Sequence, residues 1–317
     1  MTTIAVINQK GGVGKTTTTA NLGAALVQNN KRVCLMDLDP QAHLTLTLGV
    51  EPGAGPGAYE LLTGSTTLAD TVVEVKPGLT LIPSSIDLAA AEVELVSTVG
   101  REQILRDLLA NQQNNYDFVM IDCPPSLGLL TLNALCAAQE VIIPLQPHFL
   151  ALQGLGKLLE TISLVHKRIN PALKVCGIVL CMYETGTRLA SEVVADLETF
   201  LTQSRGTNQP WSQASILQTV IRRNVKLAEC PSHGASIFDY EPASNGARDY
   251  AMLAEEFLGL FEPDQQEQPS QAVQLPPAPE PQSPSQTPPE ATEQTTLPTP
   301  PQTATPQGDG LQDAHEE

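Results

Sequence analysis

The run Lys10-Gly11-Gly12-Val13-Gly14-Lys15-Thr16-Thr17 constrains this chain more than any other stretch. It follows a short β-branched and apolar segment at 3–7 and opens into a segment of helical pattern at 16–28. A glycine string between a buried strand and a helix makes a loop whose backbone N–H groups converge on an anion, and the helix N-terminus is aimed at the same point. Glycine is needed because a Cβ would hold phosphate away from the backbone. In such a loop Lys15 places its ammonium between the outer phosphates of a nucleoside triphosphate, and the Thr16 hydroxyl holds Mg²⁺. The usual spacing G-x-x-x-x-G-K-[ST] puts a first glycine at position 9. This chain has Gln9 there, and a second lysine, Lys10, stands before the glycine pair.

A phosphate loop needs carboxylates on neighbouring strands to orient a metal and a nucleophile. The segment 31–37 reads as a buried strand ending in Asp37, with Asp39, Pro40 and Gln41 just beyond it. The segment 116–122 reads as another, ending in Asp122 before Cys123, Pro124 and Pro125. Open α/β sheets place ligands at the C-terminal ends of their strands. Asp122 is therefore expected to bear on Mg²⁺, the alternative being a carboxylate that caps the turn at Pro124. Asp37 and Asp39, two residues apart on extended chain, would point the same way. One could hold the metal's water shell while the other orients an attacking water. The alternative for Asp39 is an N-cap for a short helix starting near Gln41.

Further strands are expected at 79–82, 140–144, 175–180 and 215–218. Helices are expected at 59–62, 101–110, from 127, at 150–169, 189–201 and 246–260. Their alternation, and strands apolar without alternation, predict one doubly wound, mostly parallel sheet flanked by helices; with the phosphate loop at 10–17 the expected fold is that of a P-loop NTPase. Composition divides the chain near position 262. The segment 262–317 holds thirteen of the 26 prolines and ten of the 35 acidic residues, with no Lys or Arg, and is expected to be a disordered tail. The body 1–261 then carries 25 acidic against 17 basic residues, a net charge of −8 rather than −18. Such a body cannot attract a polyanion uniformly, though a local basic patch stays open. The six cysteines form no C-x-x-C pair and mostly sit in apolar runs, as buried thiols do. No signal peptide and no apolar stretch of membrane-spanning length is evident, which points to the cytoplasm.

The run 10–17, then Asp37-Leu-Asp-Pro-Gln41, then Asp122-Cys-Pro-Pro-Ser126, resembles the deviant Walker A ATPases of the ParA/MinD family. The block 220–234 is similar to the late block of ParA and Soj-type partition ATPases. The resemblance covers the body and not the tail. It implies an ATPase that uses ATP and Mg²⁺, and an ATP-dependent homodimer in which Lys10 reaches across to the partner's phosphates. A cation supplied in trans would couple dimerisation to slow hydrolysis stimulated by a ParB-like partner. It further implies Asp39 as the water-positioning carboxylate, Asp122 as the metal-linked one, and Gly12 packed at the dimer seam. Adenine contacts are implied near Met182 and Pro231.

Non-specific double-stranded DNA binding is implied for Arg223, with Arg188 as a displaced substitute; Arg222, which stands where many relatives have proline, and Lys226 join Arg223 as a basic cluster within five residues, with a solvated surface as the alternative. Here the chain departs from the family, which carries an arginine where this chain has Gly186. The acidic, proline-rich tail lacks the basic amphipathic helix of MinD, so no membrane partner is expected. With a first strand expected from Thr3, no N-terminal helix-turn-helix domain is expected. The expected role is partition of plasmid or chromosomal DNA on the nucleoid. A switch positioning a protein cargo there, or a MinD-like division regulator, is the alternative.

Overall fold

The computed structural model describes residues 1–110, 112, 115–148, 151–184 and 188–261, all within one compact unit. The expected tail, the helix start at 150, Gly186 and the side chain of Leu189 lie outside the described residues. The strands are β1 Thr2–Val6, β2 Val33–Asp37, β3 Val73–Lys76, β4 Leu79–Ile82, β5 Phe118–Asp122, β6 Glu140–Leu145, β7 Lys174–Tyr183, β8 Ser215–Ile216 and β9 Ile221–Arg222. The helices in the first half are α1 Lys15–Gln28, α2 His43–Thr47, α3 Ala58–Thr63, α4 Leu68–Thr71, α5 Leu88–Glu94 and α6 Ile104–Leu109. The second half adds α7 Leu129–Ala137, α8 Ala151–Arg168, α9 Arg188–Gln203, α10 Val225–His233, α11 Ile237–Tyr240 and α12 Asn245–Gly259.

The sheet runs β3-β4-β2-β5-β1-β6-β7-β8, with β9 also paired to β7. Every pairing is parallel except β3 with β4. The order doubles back at β1, which leaves a crevice at the C-terminal strand ends, where open α/β sheets bind ligands.

Strand residues alternate between two cores, which is why the strands read as unbroken apolar runs. Ile4 and Val6 face a cluster with Leu22 and Leu26 of α1, Leu227 of α10, and Leu253 and Phe257 of α12. Ala5 and Ile7 face the opposite cluster, with Leu135 of α7, Leu158 and Ile162 of α8, and Leu197 of α9. Each fully buried leucine or phenylalanine stabilises the fold by about 1.5–3 kcal/mol relative to exposure, so the central strands are the rigid base under the loop. All six cysteines are free and five are buried. Burial pushes the Cys34 and Cys136 thiols up to about 11, which keeps them protonated and unreactive.

The short helices α4, α5 and α11 went unforeseen, and so did three elements with a clear physical origin. β3 is a half-exposed edge strand that returns antiparallel onto β4 through Gly78, at φ +84. β9 is two residues long and exists through its register with β7, Cys181 opposite Ile221 and Tyr183 opposite Arg222. α10 forms despite Pro231 inside it, with Asn224 capping its start by accepting from the Lys226 N–H.

Candidate nucleotide-binding site

The loop leaves the C-terminal end of β1 between two carboxylate-bearing strands. Register sets Val6, Asp37 and Asp122 in one row, Asp122 opposite both of the others. Gly12 and Gly14 take positive φ, +72 and +95. A Cβ at Gly11 or Gly12 would meet nothing within 4 Å, so this side of the loop is an open, exposed cradle. At Gly14 a Cβ would press on Cys181 at 3.4 Å, which fixes the loop's floor against β7. α1 begins at Lys15 with Gly14 as N-cap, no side-chain cap and no acidic residue in its first turn. Its N-terminal donors and dipole are thus left for an anion.

Lys15 is buried, and its Nζ donates to the Lys10 carbonyl at 3.2 Å. Burial lowers its pKa, opposed by the nearby charges of Asp122 and Asp39. A buried ammonium with one carbonyl partner calls for anionic ligands. The Thr16 hydroxyl donates to Asp122 Oδ2 at 2.6 Å, and the Thr19 hydroxyl lies 3.4 Å from Oδ1. Asp122 is thereby directed at the loop's helix, not at the turn by Pro124. Burial, and then the Asp37 charge, raise its pKa, so the pocket is short of positive charge. One hydroxyl and one carboxylate suit Mg²⁺, which keeps several waters and leans on phosphate oxygens. No cluster of three acidic, His or Cys side chains able to hold a metal alone occurs among the described residues.

Asp37 and Asp39 do not share an extended strand, since β2 ends at Asp37. Asp37 is fully buried; it accepts from Asp39 N–H at 3.1 Å, Thr45 N–H at 2.9 Å and the Thr45 hydroxyl at 2.8 Å. It thus caps α2 from outside, because that helix starts on Ala42, at φ +53 with no side-chain cap. Asp39 is not the N-cap: it closes a tight turn by accepting from Gln41 N–H at 3.0 Å, and it remains half-buried near Lys15.

Lys10 stands out of the loop into solvent, and its ammonium meets Nε2 of His148, from the loop after β6. Asn8 Oδ1 accepts from the Lys10 N–H at 3.0 Å, and Asn8 Nδ2 donates to the Pro144 carbonyl at 2.8 Å. Sequence reading missed both. An Asx turn at Asn8 was a usable local signal, whereas His148 is 138 residues from its contact. Met182 holds φ +50 at an irregularity between β7 and β9, a conformation costly for a long side chain. Pro231 is exposed on α10.

The four cations assigned to DNA are drawn together in part, because β9 lays Arg222 beside Tyr183. Each is also ion-paired within the chain. Arg222 grips the buried Asp249 through Nε and Nη2, Arg223 meets Glu184 at 3.1 Å, Lys226 meets Glu229 at 2.9 Å and Arg188 meets Glu192 at 2.8 Å. The Arg222 pair is structural, since its carboxylate is nearly inaccessible. The other three are exposed pairs, weakened by solvent screening, which a phosphate can displace.

A doubly wound sheet whose first strand feeds a glycine loop, a buried lysine and a Thr–Asp pair defines a P-loop nucleoside triphosphatase. A family model described as an AAA domain matches residues 1–175. The chain is 45% identical over 258 residues to the chromosome-partitioning ATPase Soj of Treponema pallidum, covering 81% of this chain and 96% of that protein. It is 44% identical over 255 residues to the sporulation initiation inhibitor protein Soj of Bacillus subtilis, covering 80% and 96%. A Mycobacterium smegmatis structure described as cobyrinic acid a,c-diamide synthase, with bound ATP analog and magnesium, superposes with a TM-score of 0.68. It is 39% identical and covers 81% of this chain and 94% of that one. The chain belongs to the ParA/Soj family of partition ATPases.

Proposed function

We propose that this chain is a DNA-partition switch in which ATP, bound with Mg²⁺, drives two copies together, and hydrolysis separates them. The observation that carries the reading is the contrast between two lysines in one loop: Lys15 buried beside Asp122, Lys10 exposed above an open glycine cradle. One serves the chain's own nucleotide; the other is placed to serve a second copy's.

The residues fit a triphosphate. Backbone from Gly11 to Thr17 cradles the phosphates, Lys15 neutralises the outer ones, and Thr16 with Asp122 holds the metal. Mg²⁺, when bound, spreads the charge of the β- and γ-phosphate oxygens. Asp37 has both oxygens engaged, so it acts on the metal's water shell and keeps Asp39 and α2 in place. Asp39 orients the attacking water. Lys10 adds positive charge from the partner, so hydrolysis waits for the dimer. Met182, strained beside β9, and Pro231 flank the base. The bound nucleotide and metal of the mycobacterial neighbour support this use of the loop.

In the ATP state the dimer binds nucleoid DNA without regard to sequence, and a ParB-like partner speeds an otherwise slow turnover. Arg223, Lys226 and Arg188 contact phosphates, and Arg222 supports them. The ATPase body spans 1–261, with 262–317 as an acidic tail outside it. A dimer doubles a patch too weak to act singly. The test is a mobility shift on unrelated duplexes. Binding should need ATP, fall steeply with salt as counterions are released, and weaken in Arg223→Ala. Equal binding with ADP, or an Arg223→Ala protein indistinguishable from wild type, would refute the DNA role.

A further inference from the structure

Lys10 is tied to the β6 side of the site at both its backbone and its side chain. Its N–H reaches Pro144, in β6, through Asn8. Its ammonium reaches His148, four residues beyond Pro144. Its carbonyl takes the Lys15 ammonium. A long exposed lysine ordinarily samples many rotamers, with about 1.5–2 kcal/mol of side-chain entropy to lose; here it is held against its own chain. An ammonium only donates, so Nε2 accepts and the ring proton sits on Nδ1.

We propose that His148 is a positioning residue for Lys10: the half-buried imidazole docks the ammonium in cis and releases it when the ring is protonated or when a partner's phosphates compete for it. This rests on the reading of Lys10 as the lysine that serves a second copy. Cis docking then opposes dimerisation, since each protomer must undo one contact to engage the other's nucleotide. A protonated imidazole has no free acceptor and repels the ammonium. Among the described residues Lys10 is the charge that bears on His148. It acts with burial to hold the ring below the ordinary imidazole range. Docking therefore prevails at neutral and alkaline pH, and release comes on the acid side.

The test uses full-length chain in an Asp39→Ala background with ATP and Mg²⁺, following dimer dissociation by sedimentation between about pH 5 and pH 8. His148→Ala should tighten the dimer about a hundredfold at the alkaline end, about tenfold for each of the two contacts undone, the scale of a charge-assisted hydrogen bond, and converge with the parent in acid. His148→Gln, whose carbonyl still accepts, should match the parent at the alkaline end and lose its pH dependence. Equal dissociation constants and pH profiles in all three would overturn the proposal. NMR titration of the His148 ring without nucleotide reads the contact directly: Lys10→Gln should move the ring up toward the ordinary range. A ring that does not move would overturn the contact itself. If the ring responds but the parent stays monomeric with ATP, the cis contact stands and the dimer reading falls.

Discussion

Replacing Asp37 with alanine isolates a structural task from the metal chemistry beside it. The carboxylate is fully buried and caps α2 through Thr45 N–H and the Thr45 hydroxyl, while holding the Asp39 N–H. Loss of a helix cap costs about 0.5–2 kcal/mol. The Thr45 hydroxyl proton left without its acceptor adds about 1–3 kcal/mol. Part of this is returned, because burial already disfavours the charged carboxylate and raises its pKa to about 6. A net loss of about 2–3 kcal/mol follows, or about 4–12 °C in Tm for a folded body of this size. A group with a raised folded pKa stabilises at low pH and loses that contribution as pH rises through about 6. The Asp37→Ala cost should therefore be smaller at about pH 8 than at about pH 5.5. The assay is thermal unfolding without nucleotide or Mg²⁺, with Asp37→Asn as the milder variant. A Tm within about 1 °C of wild type at both pH values would refute the capping argument.

Lys15→Gln should lower ATP affinity by about ten- to a hundredfold in titration calorimetry, yet leave the nucleotide-free protein as stable as wild type or more so, since the buried ammonium is disfavoured there. Glu140, raised to about 7 by burial at the start of β6, stabilises at low pH and loses that contribution as pH climbs through about 7. Glu140→Gln should flatten the fall in unfolding free energy between about pH 5.5 and pH 8, by about 1–2 kcal/mol after discounting for its partial exposure. Glu184→Gln removes the carboxylate facing Arg223 and should tighten ATP-dependent DNA binding about two- to fivefold in a mobility shift, the scale of an exposed ion pair.

The geometry of the candidate site was legible where the signal is local. Lys15 and Thr16 follow from a strand–loop–helix in one stretch, and Asp122 from an apolar run of strand length that ends in a carboxylate. Asp37 was legible as a carboxylate ending a buried strand but not in its capping task, because its partner Thr45 lies eight residues on, in a helix too short to show periodicity. β9 and α10 were hidden: two residues carry no period, and Pro231 argues against a helix. The pairing of Arg222 with Asp249 could not be read from a basic run, because the carboxylate lies 27 residues away on α12. His148 is the extreme case, a contact made by the sheet order alone.

If ATP drives two copies together through the open side of the loop, solution mass must change with the nucleotide. Light scattering of the Asp39→Ala protein with ATP and Mg²⁺ should give twice the chain mass, and the chain mass with ADP. Gly12→Val should stay at the chain mass with either nucleotide. A Cβ there meets nothing within the chain, so the side chain is met by a partner or by the nucleotide itself, and titration of ATP into the variant separates the two; the left-handed φ of +72 adds strain inside the loop, which a nucleotide-free melt reads separately. Equal mass with and without ATP in the Asp39→Ala protein would refute ATP-driven pairing.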